Sequence, residues 1–157
     1  MTKKVKVVLG GDHAGFHLKE MVRAYLTRKG FEVEDQGPKT PDPVDYPDFA
    51  AKVASRVASK EADYGVLVCG TGIGVAIAAN KVPGIRAATC NDTLSAHFAR
   101  AHNDANVLAM GGRLADAATA ERILDTWFAT PFEGGRHQRR VEKIAAIRQT
   151  HHSENKE

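Results

Sequence analysis

A cysteine that leads into a glycine-rich loop is the clearest sign of chemistry in this sequence. Cys69 ends an apolar run over residues 64–69, and Gly70, Gly72 and Gly74 follow it. Residues 75–79 then continue as a predicted helix. The backbone N–H groups of such a strand–loop–helix unit form an anion site. The same N–H groups favour the thiolate form of a neighbouring cysteine. The alternative is that Cys69 is simply a small buried hydrophobic residue.

The spacing of the loop limits the anion that it can hold. A dinucleotide site needs Gly-x-Gly-x-x-Gly, but Val75 and Ile77 hold the place of the last glycine in the two possible frames. A cysteine-dependent phosphatase needs an arginine where this chain has Val75. The pattern therefore favours a small anion, with a dinucleotide site or a purely structural turn as alternatives.

Asp12 and His13 follow another predicted strand, after Gly10-Gly11. Asp12 is well placed to cap the next helix, and a capping residue at such a position can also contact a ligand. His102 ends the fourth predicted helix, where the helix dipole favours a protonated ring. That end lies on the opposite side of a parallel sheet from Cys69. His102 is therefore either an ordinary surface histidine or a residue that serves a neighbouring subunit's site.

The sequence gives little support for a metal site. His97 and His102 are five positions apart on a predicted helix, whereas two ligands on one helix face need a spacing of three or four. Arg136 and Arg140 are four positions apart and share a helix face. Two guanidinium groups so placed suit a phosphate, although a solvated basic face is the alternative.

Strands alternate with helices along the whole chain, which predicts a parallel sheet with helices on both faces. The predicted strands cover residues 5–10, 31–35, 64–69, 85–90 and 106–111, and the predicted helices cover 13–29, 48–59, 72–81, 92–102, 115–129 and 134–149. Residues 1–150 are expected to form one domain, with a polar tail over 151–157. The carboxyl ends of the strands meet at one edge, which brings together Asp12, His13, Cys69, Thr71 and Arg113.

The composition excludes several classes of protein. A chain of 157 residues with a net charge of +3 lacks the wide basic surface of a nucleic-acid-binding protein. No apolar run is long enough to cross a membrane. Cys69 and Cys90 match neither a metal pattern nor a disulfide framework, so a reducing cytoplasm is the expected compartment. Cys90 has no glycine loop behind it and is interpreted as a packing residue.

Several motifs, in this order along the chain, resemble the type B ribose-5-phosphate isomerases and the related galactose-6-phosphate and allose-6-phosphate isomerases. The resemblance covers about residues 5–148. It rests on residues 11–15 (GDHAG), 45–47 (DYP), 69–74 (CGTGIG), 78–81 (AANK), 102–106 (HNDAN) and 133–140 (EGGRHQRR).

This resemblance implies a three-layer α/β/α Rossmann-like fold with a five-stranded parallel sheet. It also implies an aldose–ketose isomerisation through an enediolate, without a metal or cofactor. Cys69 would move the proton between C1 and C2, with Thr71 beside it, and His102 would open the sugar ring. Some members use a glutamate just after the glycine loop, where this chain has Val75.

The resemblance also implies how the substrate is bound. The loop residues Gly70, Thr71, Gly72, Ile73 and Gly74 would hold the enediolate oxygen. Asp12, His13 and Asn103 would bind the sugar, and Arg113, Arg136 and Arg140 would hold the phosphate. The site would be shared across a homodimer, and pairing of dimers into tetramers stays open. The alternatives are an isomerase of a six-carbon sugar phosphate and a non-catalytic nucleotide- or phosphate-binding module.

Overall fold

Five parallel strands form the central sheet of the computed structural model, which describes residues 3–154, with backbone alone after residue 147. The strands are β1 (Lys6–Gly11), β2 (Glu32–Asp35), β3 (Tyr64–Cys69), β4 (Ala87–Thr89) and β5 (Val107–Gly111). They lie in the order β2-β1-β3-β5-β4. The inner strands β1, β3 and β5 are almost wholly buried, as the continuous apolar runs of a two-sided parallel sheet require.

Helices cover both faces of the sheet, which confirms the expected three-layer α/β/α class. The helices are α1 (Phe16–Arg28), α2 (Tyr46–Ala58), α3 (Ile73–Ala79), α4 (Thr93–Asn103), α5 (Ala117–Ala129) and α6 (Arg136–Glu154). Buried side chains of α1, α4 and α5 form the core on one face, and those of α2 and α3 form the core on the other. Within residues 3–154, no helix is long and apolar enough to cross a membrane.

The element boundaries differ from the sequence prediction where special backbone conformations occur. Gly134 and Gly135 have positive φ angles of 66° and 53°, so α6 begins only at Arg136. It continues past the expected end to Glu154, because neither glycine nor proline interrupts it. In the same way Gly72, with φ 83°, lies before α3 and outside it. At α2, Pro47 fits the first helical turn, so the helix starts two residues before the predicted position.

The winding direction of the sheet reverses at β1. The chain passes from β1 to β2 on one side and later to β3 on the other side. In parallel sheets, ligands bind beyond the carboxyl ends of the strands at such a reversal. The residues that follow β1 and those that end β3 are therefore placed where a ligand would bind.

Candidate functional site

Cys69 lies at this reversal, at the carboxyl end of β3, and only 5% of its surface is exposed. The backbone N–H of Gly72 donates a hydrogen bond to its Sγ atom at 3.2 Å. A backbone N–H directed at sulfur stabilises negative charge there. The helix α3 has only seven residues, so its dipole is small. The direct hydrogen bond is therefore the more specific source of stabilisation for negative charge on the sulfur.

Side chains at the end of β4 and just after it hold the glycine loop in place. Asn91, which follows β4, donates from Nδ2 to the carbonyl of Thr71 at 3.0 Å and accepts from the N–H of Gly111 at 2.8 Å. Thr89 donates from its hydroxyl to the carbonyl of Gly72 at 2.9 Å. Asn91 was not among the predicted site residues, although its position just after a predicted strand was a signal for it. These bonds fix the loop before any ligand binds.

Close backbone contacts join the loops at the carboxyl edge. A Cβ atom on Gly15 would lie 2.1 Å from the carbonyl oxygen of Val68, and one on Gly111 would lie 2.6 Å from the Cα atom of Thr71. No side chain fits at these separations, so the segments after β1, β3 and β5 meet backbone against backbone.

Asp12 and His13 lie after β1, as predicted. The Asp12 carboxylate is buried and accepts from the N–H of Gly15 at 3.0 Å, so it caps the short 3₁₀ turn His13–Gly15. His13 accepts the N–H of Val44 on Nδ1 at 3.2 Å. A neutral His13 ring therefore carries its proton on Nε2, and that nitrogen is available as a donor.

Two larger side chains lie against the glycine loop. The Arg113 guanidinium lies over Gly70, because a Cβ atom there would be 3.3 Å from Nη1. The Tyr46 ring covers Gly74 in the same way, since a Cβ atom on that glycine would lie 2.7 Å from Cζ of the ring. Arg113 was predicted at this edge. Tyr46 was not among the predicted site residues, although its Asp-Tyr-Pro motif was noted.

His102 and Asn103 lie at the opposite edge of the sheet. Arg86, just before β4, donates from Nε to the carbonyl of Asn103 at 3.1 Å, which places the end of α4 beside the start of β4. His102 is therefore far from Cys69 of the same chain. The direction of the helix predicted this separation. Arg136 and Arg140 also lie at this opposite edge, exposed on the first turns of α6.

His102 belongs to a group of three side chains, here named the His102 cluster: His102, Glu133 and His137. The His102 and His137 rings stack with centroids 4.1 Å apart and planes 12° apart. Their Nε2 atoms lie 3.9 Å and 3.4 Å from Oε2 of Glu133. Burial is the main cause that lowers the pKa of His137. The charges of His102 and Arg136 lower this pKa further, whereas the Glu133 carboxylate raises it.

Cys90 has a different environment from Cys69. It is 1% exposed, and burial raises the pKa of its thiol to about 11. A neutral, buried thiol is a packing residue, which confirms the sequence interpretation of Cys90 and makes it a matched control for Cys69.

Known proteins resemble this chain along most of its length. The ribose/galactose isomerase family model matches residues 7–144. Ribose-5-phosphate isomerase B of Escherichia coli is 49% identical over 144 residues, which cover 92% of this chain and 97% of that protein.

Solved structures share the fold at similar identity. Ribose-5-phosphate isomerase B of Clostridium thermocellum is 48% identical, with a TM-score of 0.92 over 94% of this chain and 99% of that one. The Mycoplasma genitalium protein of the same name, with bound ribulose-5-phosphate, is 41% identical, with a TM-score of 0.90 over 94% of this chain and 99% of that one. The match of sequence and fold across nearly the whole chain shows that it belongs to the ribose/galactose isomerase family.

Proposed function

We propose that this protein interconverts ribose 5-phosphate and ribulose 5-phosphate. The observation that carries the proposal is the position of Cys69, at the reversal of the sheet and hydrogen-bonded to a loop N–H group. The relatives named as ribose-5-phosphate isomerases support the same reaction.

Cys69 acts as the base in this mechanism. Its thiolate takes the proton from C2 of the open-chain aldose, and the electron pair of that C–H bond moves into an enediolate. The thiol then returns the proton to C1 while a proton passes from the O2 hydroxyl to O1, which gives the ketose. Proton abstraction beside a carbonyl needs a base and a site for the developing oxyanion. The loop of residues 70–74 supplies that oxyanion site, where the N–H of Gly72 faces the Cys69 sulfur and the Thr71 hydroxyl accepts the N–H of Ile73.

The acid that opens the sugar ring is His102 of the partner subunit, in a homodimer with shared sites. Its distance from Cys69 within one chain supports this assignment. An apolar surface supports the dimer: Ile73 and Ile77 on α3 and Leu94 and Phe98 on α4 are 42–65% exposed. These helices pack on opposite faces of the sheet, beside the edge strand β4. Clusters of exposed apolar side chains commonly mark interfaces.

Charged and polar residues then hold the two ends of the substrate. Arg113, Arg136 and Arg140 bind the phosphate, because guanidinium groups pair with its oxygens. Asp12, His13 and Asn103 bind the sugar hydroxyl groups. Binding the remote phosphate keeps the reacting carbons near Cys69. No step uses a metal or cofactor, and the two unpaired cysteines fit a reducing cytoplasm.

The test is ketose formation from ribose 5-phosphate by Cys69→Ala and Cys90→Ala variants, in buffer that contains EDTA. Loss of the base should lower kcat by about 10²–10⁴-fold, while Cys90→Ala should stay within a few-fold of the unmodified protein. Full activity of Cys69→Ala would contradict the mechanism.

Comparing kcat/KM for ribose, allose and galactose phosphates would show whether a six-carbon substrate is preferred. Tight binding of NADH or ATP, with all three sugar phosphates inert, would favour a non-catalytic binding module.

A further inference from the structure

The His102 cluster brings together three metal-ligating groups from separate parts of the fold. His102 comes from the end of α4, Glu133 from the segment before α6, and His137 from the first turn of α6. Their ligand atoms all lie within 4.8 Å of one another. The cluster lies outside the Cys69 loop, and two of its members, Glu133 and His137, have no role in the mechanism above.

Two imidazole nitrogens and one carboxylate oxygen are a donor set typical of zinc and similar metals. Ligand atoms around tetrahedral zinc lie about 3.3 Å apart, because the bonds are about 2.0–2.1 Å long. The contact of Glu133 with His137 is already 3.4 Å, and that with His102 is 3.9 Å. The ligand atoms of His102 and His137 lie within 4.8 Å of each other on stacked rings, so binding also requires the partly exposed His102 ring to turn out of the stack towards a common point.

The backbone around the cluster is already fixed. The N–H of Glu133 donates to the carbonyl of Ala101 at 3.0 Å, which ties the segment before α6 to the last turn of α4. The Glu133 side chain is 53% exposed and free to rotate, whereas the His137 side chain is 8% exposed and held. One ligand is therefore buried and fixed, and the exposed carboxylate is free to adjust to an ion.

We propose that the His102 cluster binds a divalent ion of the zinc type, with water as the fourth ligand, and that the bound ion inhibits the enzyme. Inhibition follows because the metal bonds to the His102 nitrogen that faces Glu133. His102 can then no longer act as the acid that opens the sugar ring. Arg136 and Arg140 lie nearby and repel a cation, so binding should be reversible by EDTA. The inhibitory part rests on the proposed function, and the binding part does not.

Cobalt(II) tests binding without any activity measurement, since four-coordinate cobalt absorbs visible light. We expect one cobalt ion per chain in the metal-free protein. His137→Asn and Glu133→Gln should each weaken binding at least tenfold, while His97→Asn, on the same helix as His102, should not. Cys69→Ser should also keep the band. No binding, or binding that needs Cys69 but neither His137 nor Glu133, would overturn the proposal.

Zinc inhibition is measured separately, with each variant compared with its own EDTA-treated activity. The zinc concentration for half-inhibition should rise at least tenfold in His137→Asn, and Glu133→Gln should repeat the effect because its exposed side chain leaves folding intact. Equal inhibition of the variants would overturn the inhibitory role. If the protein binds cobalt but forms no ketose, the proposed function is wrong and the proposed metal site is still supported.

Discussion

At the scale of single residues, the Cys69 loop and the His102 cluster are built from the chain in different ways. Cys69 and its loop are contiguous in sequence, so their order alone indicated an anion site beside a thiol. The His102 cluster joins residues from two helices and the segment between them. The spacing rule applied to His97 and His102 compares positions on one helix only, and could not reveal that the ring beside His102 is His137, on α6.

His137 also makes a prediction about stability and pH. Its pKa in the folded protein lies below the ordinary value of 6.5. As the pH falls through 6.5, the unfolded chain therefore binds a proton before the folded protein does, and the free energy of unfolding decreases. His137→Asn should lose less stability between pH 7 and pH 5 than the unmodified protein does.

Urea denaturation at the two pH values measures this difference. His17→Asn is the control, because His17 is exposed on α1, away from the cluster. The explanation fails if both variants lose stability with acid to the same extent as the unmodified protein.

At the scale of elements, the type and order of the strands and helices follow from the apolar patterns. Some of their ends were harder to predict, because glycines with positive φ angles decide where α3 and α6 begin. Gly72 interrupts the chain between β3 and α3 with a φ angle of 83°, a left-handed conformation that strains any residue with a side chain. The sequence shows that a glycine is present but not which sign its φ angle takes.

Gly72 and Gly84 allow the strain to be separated from the packing. Gly84 has a similar φ angle of 88°, but a Cβ atom there would meet nothing within 4 Å, whereas a Cβ atom on Gly72 would lie 2.9 Å from the carbonyl carbon of Met110. Gly84→Ala should cost about 1–2 kcal/mol and keep activity. Gly72→Ala should cost more and also lower activity, because the donor to Cys69 moves.

Thermal unfolding and the isomerase assay, applied to both variants, check this prediction. Equal loss of stability and equal activity in the two alanine variants would mean that the contact with Met110 is unimportant for the loop.

At the scale of the whole molecule, the sequence placed Cys69 and His102 at opposite edges of the sheet, and the structure confirms that arrangement. The sequence could not show the surface that would bring a second copy into place. That surface is formed by exposed residues of α3 and α4, which flank β4. It depends on the strand order, which the sequence does not give.

Mixing two inactive variants tests whether the site is shared. Cys69→Ala and His102→Asn homodimers should each be nearly inactive. After they are unfolded together in equal amounts and refolded, roughly one quarter of the unmodified activity should return, because half of the dimers are mixed and one of the two sites in each is intact. If no activity returns, although each variant refolds alone, Cys69 and His102 do not meet across an interface.

The backbone contacts made by Gly15 and Gly111 have an evolutionary consequence. Where chain segments touch without side chains between them, insertions and larger residues cannot be accommodated. Gly15 and Gly111 form the floor of the site, and single substitutions there are not expected to be tolerated. New substrate preferences within this lineage would have to arise at its rim, from Tyr46 and, in the proposed homodimer, from residues of the partner subunit. A library of variants for altered sugar length should therefore vary those rim positions and leave the floor unchanged.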